Sequence, residues 1–200
     1  GTEVGEAVIT GTLNGASIAD DATIVLTAGE VSTQTTTITA DSASLVADGV
    51  STSKVTVEVR DVNGNLIGAS AGDVELFTTL GTLTAVVDHG DGTYTAVLVS
   101  GTSDGESGNG GAGRFASVII GDPPGTGTAT ITGTVGGEPI DDTAEVLFRA
   151  GQLDESRTTI EADSSSLVAG SGASSLVTVK VFDVYGNPLG ASAGVGLVTT

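Results

Sequence analysis

Cysteine is absent from the 200 residues, so a disulfide framework, a thiolate nucleophile and a Cys-type zinc site are all excluded. There is no Trp or Met either, and only four Phe and two Tyr. Basic charge is scarce: 6 Lys+Arg stand against 25 Asp+Glu, a formal net charge of −19. Nucleic acid is excluded as a partner on this ground, because phosphate binding needs clustered Lys and Arg. Docking on anionic lipid is disfavoured for the same reason. No apolar run is long enough to span a membrane, so no membrane insertion is expected within this segment. A basic-then-apolar leader and an Asn-x-Ser/Thr sequon are also missing. Residue 1 falls inside a patterned region, which suggests a window on something longer.

What the chain has is glycine, 31 residues of it, with many Thr, Val and Ala. That composition favours strands joined by turns. In "SKVTVEVRD", Val55, Val57 and Val59 alternate with Thr56, Glu58 and Arg60. Val177, Val179 and Val181 alternate likewise with Thr178, Lys180 and Phe182. In "GTYTAVLVS", Tyr94, Ala96 and Leu98 share one face. Period two of this kind predicts half-buried strands, and "TATITGTV" and "AEVLF" read the same way. Asp91-Gly92 predicts a hairpin, and Asn63-Gly64 a tight turn. Short strands with turn signals between them predict an all-β fold of antiparallel β-sandwiches.

The chain also repeats itself. "TITADSASLVA" at 37–47 returns as "TIEADSSSLVA" at 159–169, an offset of 159 − 37 = 122. "ITGTLNG" at 9–15 returns as "ITGTVGG" at 131–137, and "DVNGN" at 61–65 returns as "DVYGN" at 183–187, both again 122 apart. "ASAGDVELFTT" (69–79) returns one residue shorter as "ASAGVGLVTT" (191–200). A unit of that length is a normal single domain. Residues 1–34 are expected to close one unit, 35–156 to form a complete one and 157–200 to open a third. A partial unit cannot bury a core alone. Repeat arrays are usually continuous chains, so the natural chain is expected to continue at both ends. Partial units of neighbouring chains could instead complete one another, although the two together lack the equivalent of 80–126.

Several residues could carry chemistry. Asp61, Asn63 and Asn65 place oxygens at alternating positions, as in the first half of an EF-hand loop. Leu66 stands where that loop needs glycine, Gly72 where it needs glutamate, and Tyr185 replaces Asn63 in the second copy. A turn is the expected role and calcium the alternative. Asp154 and Glu155, with Asp48 and Asp163 in reach, could hold calcium at a junction between units; a solvated acidic linker is the plainer reading, since Ser32 and Thr33 occupy the other junction. No other cofactor is expected. His89, between Asp88 and Asp91, falls in the hairpin turn, where nothing excludes water, and no nucleophile accompanies it; no enzyme is expected. "GNGGAG" (108–113) lacks the Lys-Ser/Thr of a phosphate loop and has Asp104 and Glu106 beside it. Asp20 and its counterpart Asp142 are expected to be solvated edge charges. Lys54 lies at the start of a strand and Lys180 is expected to face outward, so no Lys–Asn crosslink is expected. In the stretch 101–127, "RFASVII" is an apolar segment behind a Gly-rich leash. Arg114, Phe115, Val118, Ile119 and Ile120 are therefore candidates for assembly with a partner or neighbouring subunit, and an ordinary strand is the alternative.

In order along the chain, "SLVADGVSTSKVTVEVRDVNGNLI", "VELFTTLGTL", "DGTYTAVLVSGT" and "GTATITGTVGG" resemble the bacterial Ig-like repeats of the invasin/intimin group. Two features depart from the pattern: the long 101–127 stretch, and Ala169-Gly170-Ser171 where the first copy has Ala47-Asp48-Gly49. The resemblance implies tandem immunoglobulin-like sandwiches in a cell-surface, extracellular stalk or filament. Its partners would be neighbouring repeats of the same or identical chains, with ligand binding left to a tip domain elsewhere.

Overall fold

The computed structural model describes residues 2–102, 125–169, 172, 174–189 and 195–198. The elements found among them are all strands, and no helix is long and apolar enough to cross a membrane. The chain opens with β1 (Gly5–Ile9), β2 (Thr12–Leu13), β3 (Ala16–Ser17) and β4 (Ala22–Leu26). Next come β5 (Thr37–Ala40), β6 (Ser44–Val46), β7 (Thr52–Glu58), β8 (Val74–Thr78), β9 (Thr82–Leu83), β10 (Val87–Asp88) and β11 (Thr93–Val99). Then follow β12 (Gly127–Val135), β13 (Glu138–Pro139), β14 (Ala144–Arg149), β15 (Leu153–Ala162) and β16 (Val177–Asp183).

Two five-stranded sheets make the central sandwich. One runs β10-β11-β7-β5 with β9 also on β11; the other runs β13-β12-β14-β6 with β8 also on β12. All pairs are antiparallel except β14 with β6. The alternating residues do what their period requires. Val55, Val57 and Val59 are buried, as are Tyr94, Ala96 and Leu98 from the paired β11. Across the interior they meet Val74, Ala129, Ile131, Val146 and Phe148 of the second sheet. The Tyr94 hydroxyl accepts from Ala71 N–H at 2.7 Å and donates to the Gly72 carbonyl at 3.0 Å, so a buried polar tip pins the 70–72 segment.

The turns follow their chemistry. His89 N–H donates to the Thr93 carbonyl, and Asp91 accepts from Thr93 N–H, which closes the β10–β11 hairpin. His89 Nε2 meets Thr95 Oγ1 at 2.9 Å on the exposed side of that hairpin. In the 61–65 turn only Gly64 takes positive φ, at 85°, and its N–H returns to the Asp61 carbonyl at 2.9 Å.

The pairs at the two ends of the chain repeat those of the centre. Gly5 faces Leu26 as Gly127 faces Phe148, and Ile9 faces Ala22 as Ile131 faces Ala144. Thr159 faces Lys180 as Thr37 faces Glu58. Each of these pairs is shifted by the same 122 positions, for example 127 − 5 and 159 − 37.

Candidate functional site

The two Asp-x-x-Gly-Asn turns carry the same hydrogen-bond network. Asp61 is buried, and its Oδ1 accepts from the N–H groups of Asn63 and Asn65, each at 2.9 Å. Its Oδ2 accepts from Asn65 Nδ2 and from the Gly29 N–H, again at 2.9 Å each. Asp183 repeats this: Oδ1 accepts from Tyr185 N–H (2.8 Å) and Asn187 N–H (2.7 Å), and Oδ2 from Asn187 Nδ2 (2.8 Å) and Gly151 N–H (2.6 Å). A carboxylate sunk below the surface is tolerable only when its lone pairs are met by donors, and here four N–H groups meet each one.

The electrostatics follow. The Asn65 side chain above all, then Gly29 N–H and the turn's own N–H groups, hold the Asp61 carboxyl down at about 2 against the opposing effect of burial. At Asp183, burial pushes the carboxyl up, but the bonds from the Asn187 side chain and from Gly151, Asn187 and Tyr185 N–H outweigh it, so it lies below the usual carboxylate range.

Both turns act on the chain that leads into them. Val31 bridges to Asp61, and Leu153 pairs with Asp183, 122 positions on. Ser32 N–H donates to the Arg60 carbonyl at 2.8 Å, and Thr35 Oγ1 donates to the Asp61 carbonyl at 2.7 Å. Val184 N–H donates to the Gln152 carbonyl at 3.0 Å. At the second turn the leading segment is strand β15, paired with β16; at the first it is held by the single Val31–Asp61 bridge and the bonds of Ser32 and Thr35. The last Asn of each turn also reaches further back. Asn187 Nδ2 donates to the Ala47 carbonyl at 2.6 Å, at the end of β6, and Asn65 Nδ2 donates to the Thr2 carbonyl at 2.7 Å.

Among the residues singled out in the sequence, Asp61 and Asn65 come together in this network, while Asn63 lies exposed with only its backbone engaged on Asp61. Asp154 accepts from Ser156 N–H and Oγ and lies 3.6 Å from Arg157 Nε; Glu155 is exposed. Asp48 caps its own loop, accepting from Val50 and Ser51 N–H and from the Ser51 and Ser100 hydroxyls. Asp163 accepts from the Ser175 hydroxyl and Leu176 N–H. Among the described residues there is no group of three or more His, Cys, Asp or Glu side chains placed to share a metal ion. Arg114, Phe115, Val118, Ile119 and Ile120, with "GNGGAG", lie outside the described residues.

One expectation is corrected. Asp142 is not a bare edge charge: its Oδ2 accepts from Ile38 N–H of β5 at 2.9 Å, because that edge strand leaves an N–H to be satisfied. The sequence reading also missed Gly29 and Gly151, the donors to the two carboxylates. Their signal was present, since "AGE" (28–30) and "AGQ" (150–152) recur 122 apart while the residues after them diverge. Gly151 has a steric reason as well, because a Cβ there would come within 2.9 Å of the Tyr185 ring.

Comparison with known proteins agrees with this architecture. The model of the family described as invasin, domain 3, matches residues 32–108. Invasin, a bacterial integrin-binding protein of known crystal structure, is 26% identical with a TM-score of 0.55, over 96% of this chain and 34% of invasin. The Escherichia coli adhesin FdeC is 22% identical with a TM-score of 0.53, over 94% of this chain and 53% of that one. Yersinia pseudotuberculosis InvD is 22% identical with a TM-score of 0.51, over 94% and 53%. The chain spans only part of each of these proteins. The resemblance carried by the sequence motifs is thus shown: this is an all-β chain of Ig-like domains similar to those of the invasin/intimin group of bacterial adhesins.

Proposed function

We propose that the chain is a segment of a cell-surface adhesin stalk, in which Ig-like units follow one another through joints built on Asp61 and Asp183. Residues 35–156 are the complete unit, with 1–34 closing the one before and 157–200 opening the one after. The observation that carries this role is the recurrence of one clamp at two places: a buried carboxylate grips the glycine of the leading segment, and the turn's last Asn bonds a carbonyl further back. A joint whose connecting segment is hydrogen-bonded to the unit that follows has few free dihedrals, and fixed joints turn stacked units into reach and stiffness. The role is mechanical and non-enzymatic, and its partners are the neighbouring units.

Small-angle scattering on the 200-residue chain tests it. The wild type should fit a narrow distribution of overall dimensions. Asn187→Ala, which cuts the bond to Ala47, should broaden that distribution while the melting midpoint of the central sandwich holds. A wild type that already scatters as a broad ensemble overturns the rigid-joint role.

A further inference from the structure

We propose that Asn63 is a site of spontaneous deamidation that the Asp61 turn holds in check, so that the modification marks an opening of the turn and then keeps it from closing again. Asn63 is followed by Gly64, and glycine leaves the backbone nitrogen unshielded by a Cβ. The Asn63 side chain is exposed, and no described residue bonds its amide. A Cβ at Gly64 would meet nothing within 4 Å, so the dipeptide has open space around it. The reaction needs only water. The Gly64 nitrogen gives up its proton and bonds to Asn63 Cγ, the Cγ–Nδ2 bond breaks, and ammonia leaves with that proton. Water then opens the cyclic imide at either carbonyl, giving aspartate or isoaspartate. Nothing is oxidised or reduced.

The turn opposes the first step. Gly64 N–H donates to the Asp61 carbonyl at 2.9 Å, so the nitrogen that must attack is already engaged. Asp61 Oδ1 holds the N–H groups of Asn63 and Asn65, each at 2.9 Å, on either side of the peptide that must swing. Asn63 therefore reacts only from molecules in which this turn has opened, and its rate is lowered by that opening equilibrium. The same chain carries an ungated dipeptide. Asn14 precedes Gly15 at the exposed tip of the β2–β3 hairpin, and no described residue accepts from the Gly15 N–H. Gly137, at the Gly15 position of the complete unit, has the same φ of 85° and an N–H equally without an acceptor, so the freedom belongs to the hairpin itself.

Conversion would undo the turn that delayed it. Isoaspartate runs the main chain through its own Cγ and makes it a methylene longer between residues 63 and 64. The two bonds that lie beyond this insertion, from Gly64 N–H and Asn65 N–H to Asp61, lose their register. Either product also sets a new carboxylate beside the buried Asp61, and like charge disfavours the ionised form that grips Gly29. The second turn has Tyr185 before Gly186, so its grip on Gly151 is immune. The gate is made of the turn's own hydrogen bonds and works whether or not the units form a stalk.

The whole chain, incubated in warm, mildly alkaline buffer and mapped by tandem mass spectrometry, tests this. In the synthetic peptides VRDVNGNLI and TGTLNGASI, Asn63 and Asn14 should convert at similar rates. In the folded wild type Asn63 should lag Asn14 by at least about tenfold, which an opening free energy of only about 1.4 kcal/mol supplies. Asn65→Ala removes the side-chain bond to Asp61 and should speed Asn63 several-fold while Asn14 keeps its rate. Circular dichroism melting checks that this variant retains the central sandwich. Isoaspartate-bearing chains, separated on an anion exchanger by their added charge, should show faster amide hydrogen exchange at Gly29 and unchanged exchange at Gly151. An Asn63 that converts in the folded chain as fast as in its peptide overturns the gate, and so does an Asn65→Ala chain that converts no faster than the wild type. Converted chains that still protect the Gly29 N–H overturn the release.

Discussion

Asp61 lowers the free energy of the fold only while it is ionised. Its carboxyl takes up a proton near 3.8 when unfolded and at about 2 when folded, so acid favours the unfolded chain. The stability it lends is complete above about pH 4 and lost as pH falls through about 2. Asp61→Asn cannot titrate. It should melt below the wild type at neutral pH, and the gap between the two midpoints should shrink as pH falls from 4 toward 2, as followed by thermal melts at stepped pH. Tyr94 supplies a second test. Tyr94→Phe keeps the buried ring but strands Ala71 N–H and the Gly72 carbonyl, and should cost about 1–3 kcal/mol in urea unfolding.

Among the elements, β11 and β12 each bond to three others, β11 to β7, β9 and β10 and β12 to β8, β13 and β14. The entry to β9 is tight: Gly81 has φ of 70°, and a Cβ there would strike the Val99 carbonyl and come within 2.9 Å of the Phe148 ring. Gly81→Ala combines backbone strain with overpacking and should destabilise by about 2–4 kcal/mol, read from the denaturant midpoint at unchanged slope. Elements such as β7 and β11 were legible in the sequence because Val55, Val57 and Val59, and Tyr94, Ala96 and Leu98, are strictly alternate and nothing but a half-buried strand buries every second residue. The parallel pairing of β6 with β14 was not, because three residues carry no period and their partner lies some hundred positions on. The turn at 61–65 was legible as a turn from Asn63-Gly64. Its grip on Gly29 was not, because a backbone N–H has no residue-type signature; only its recurrence at Gly151 marks it. Asp142 likewise looks like any surface acid until Ile38 N–H is placed against it.

On the scale of the whole molecule, a net charge of −19 repels itself, and compact states feel that most. The thermal midpoint should rise as sodium chloride is raised from about 10 mM and level off near about 0.15 M, where the screening length falls to about 8 Å. A midpoint that falls with salt would show that attractive pairs such as Lys180–Glu161 outweigh the repulsion. The clamps have one more consequence, which concerns time. The Gly29 N–H finds its acceptor 32 residues later, at Asp61, and the Gly151 N–H waits the same 32 residues for Asp183. A ribosome makes the chain from its N-terminus, and domains fold largely in that order. In the proposed stalk, each connection is then left open by the unit before it and locked by the one after, so the joints are set in order as the units fold in turn.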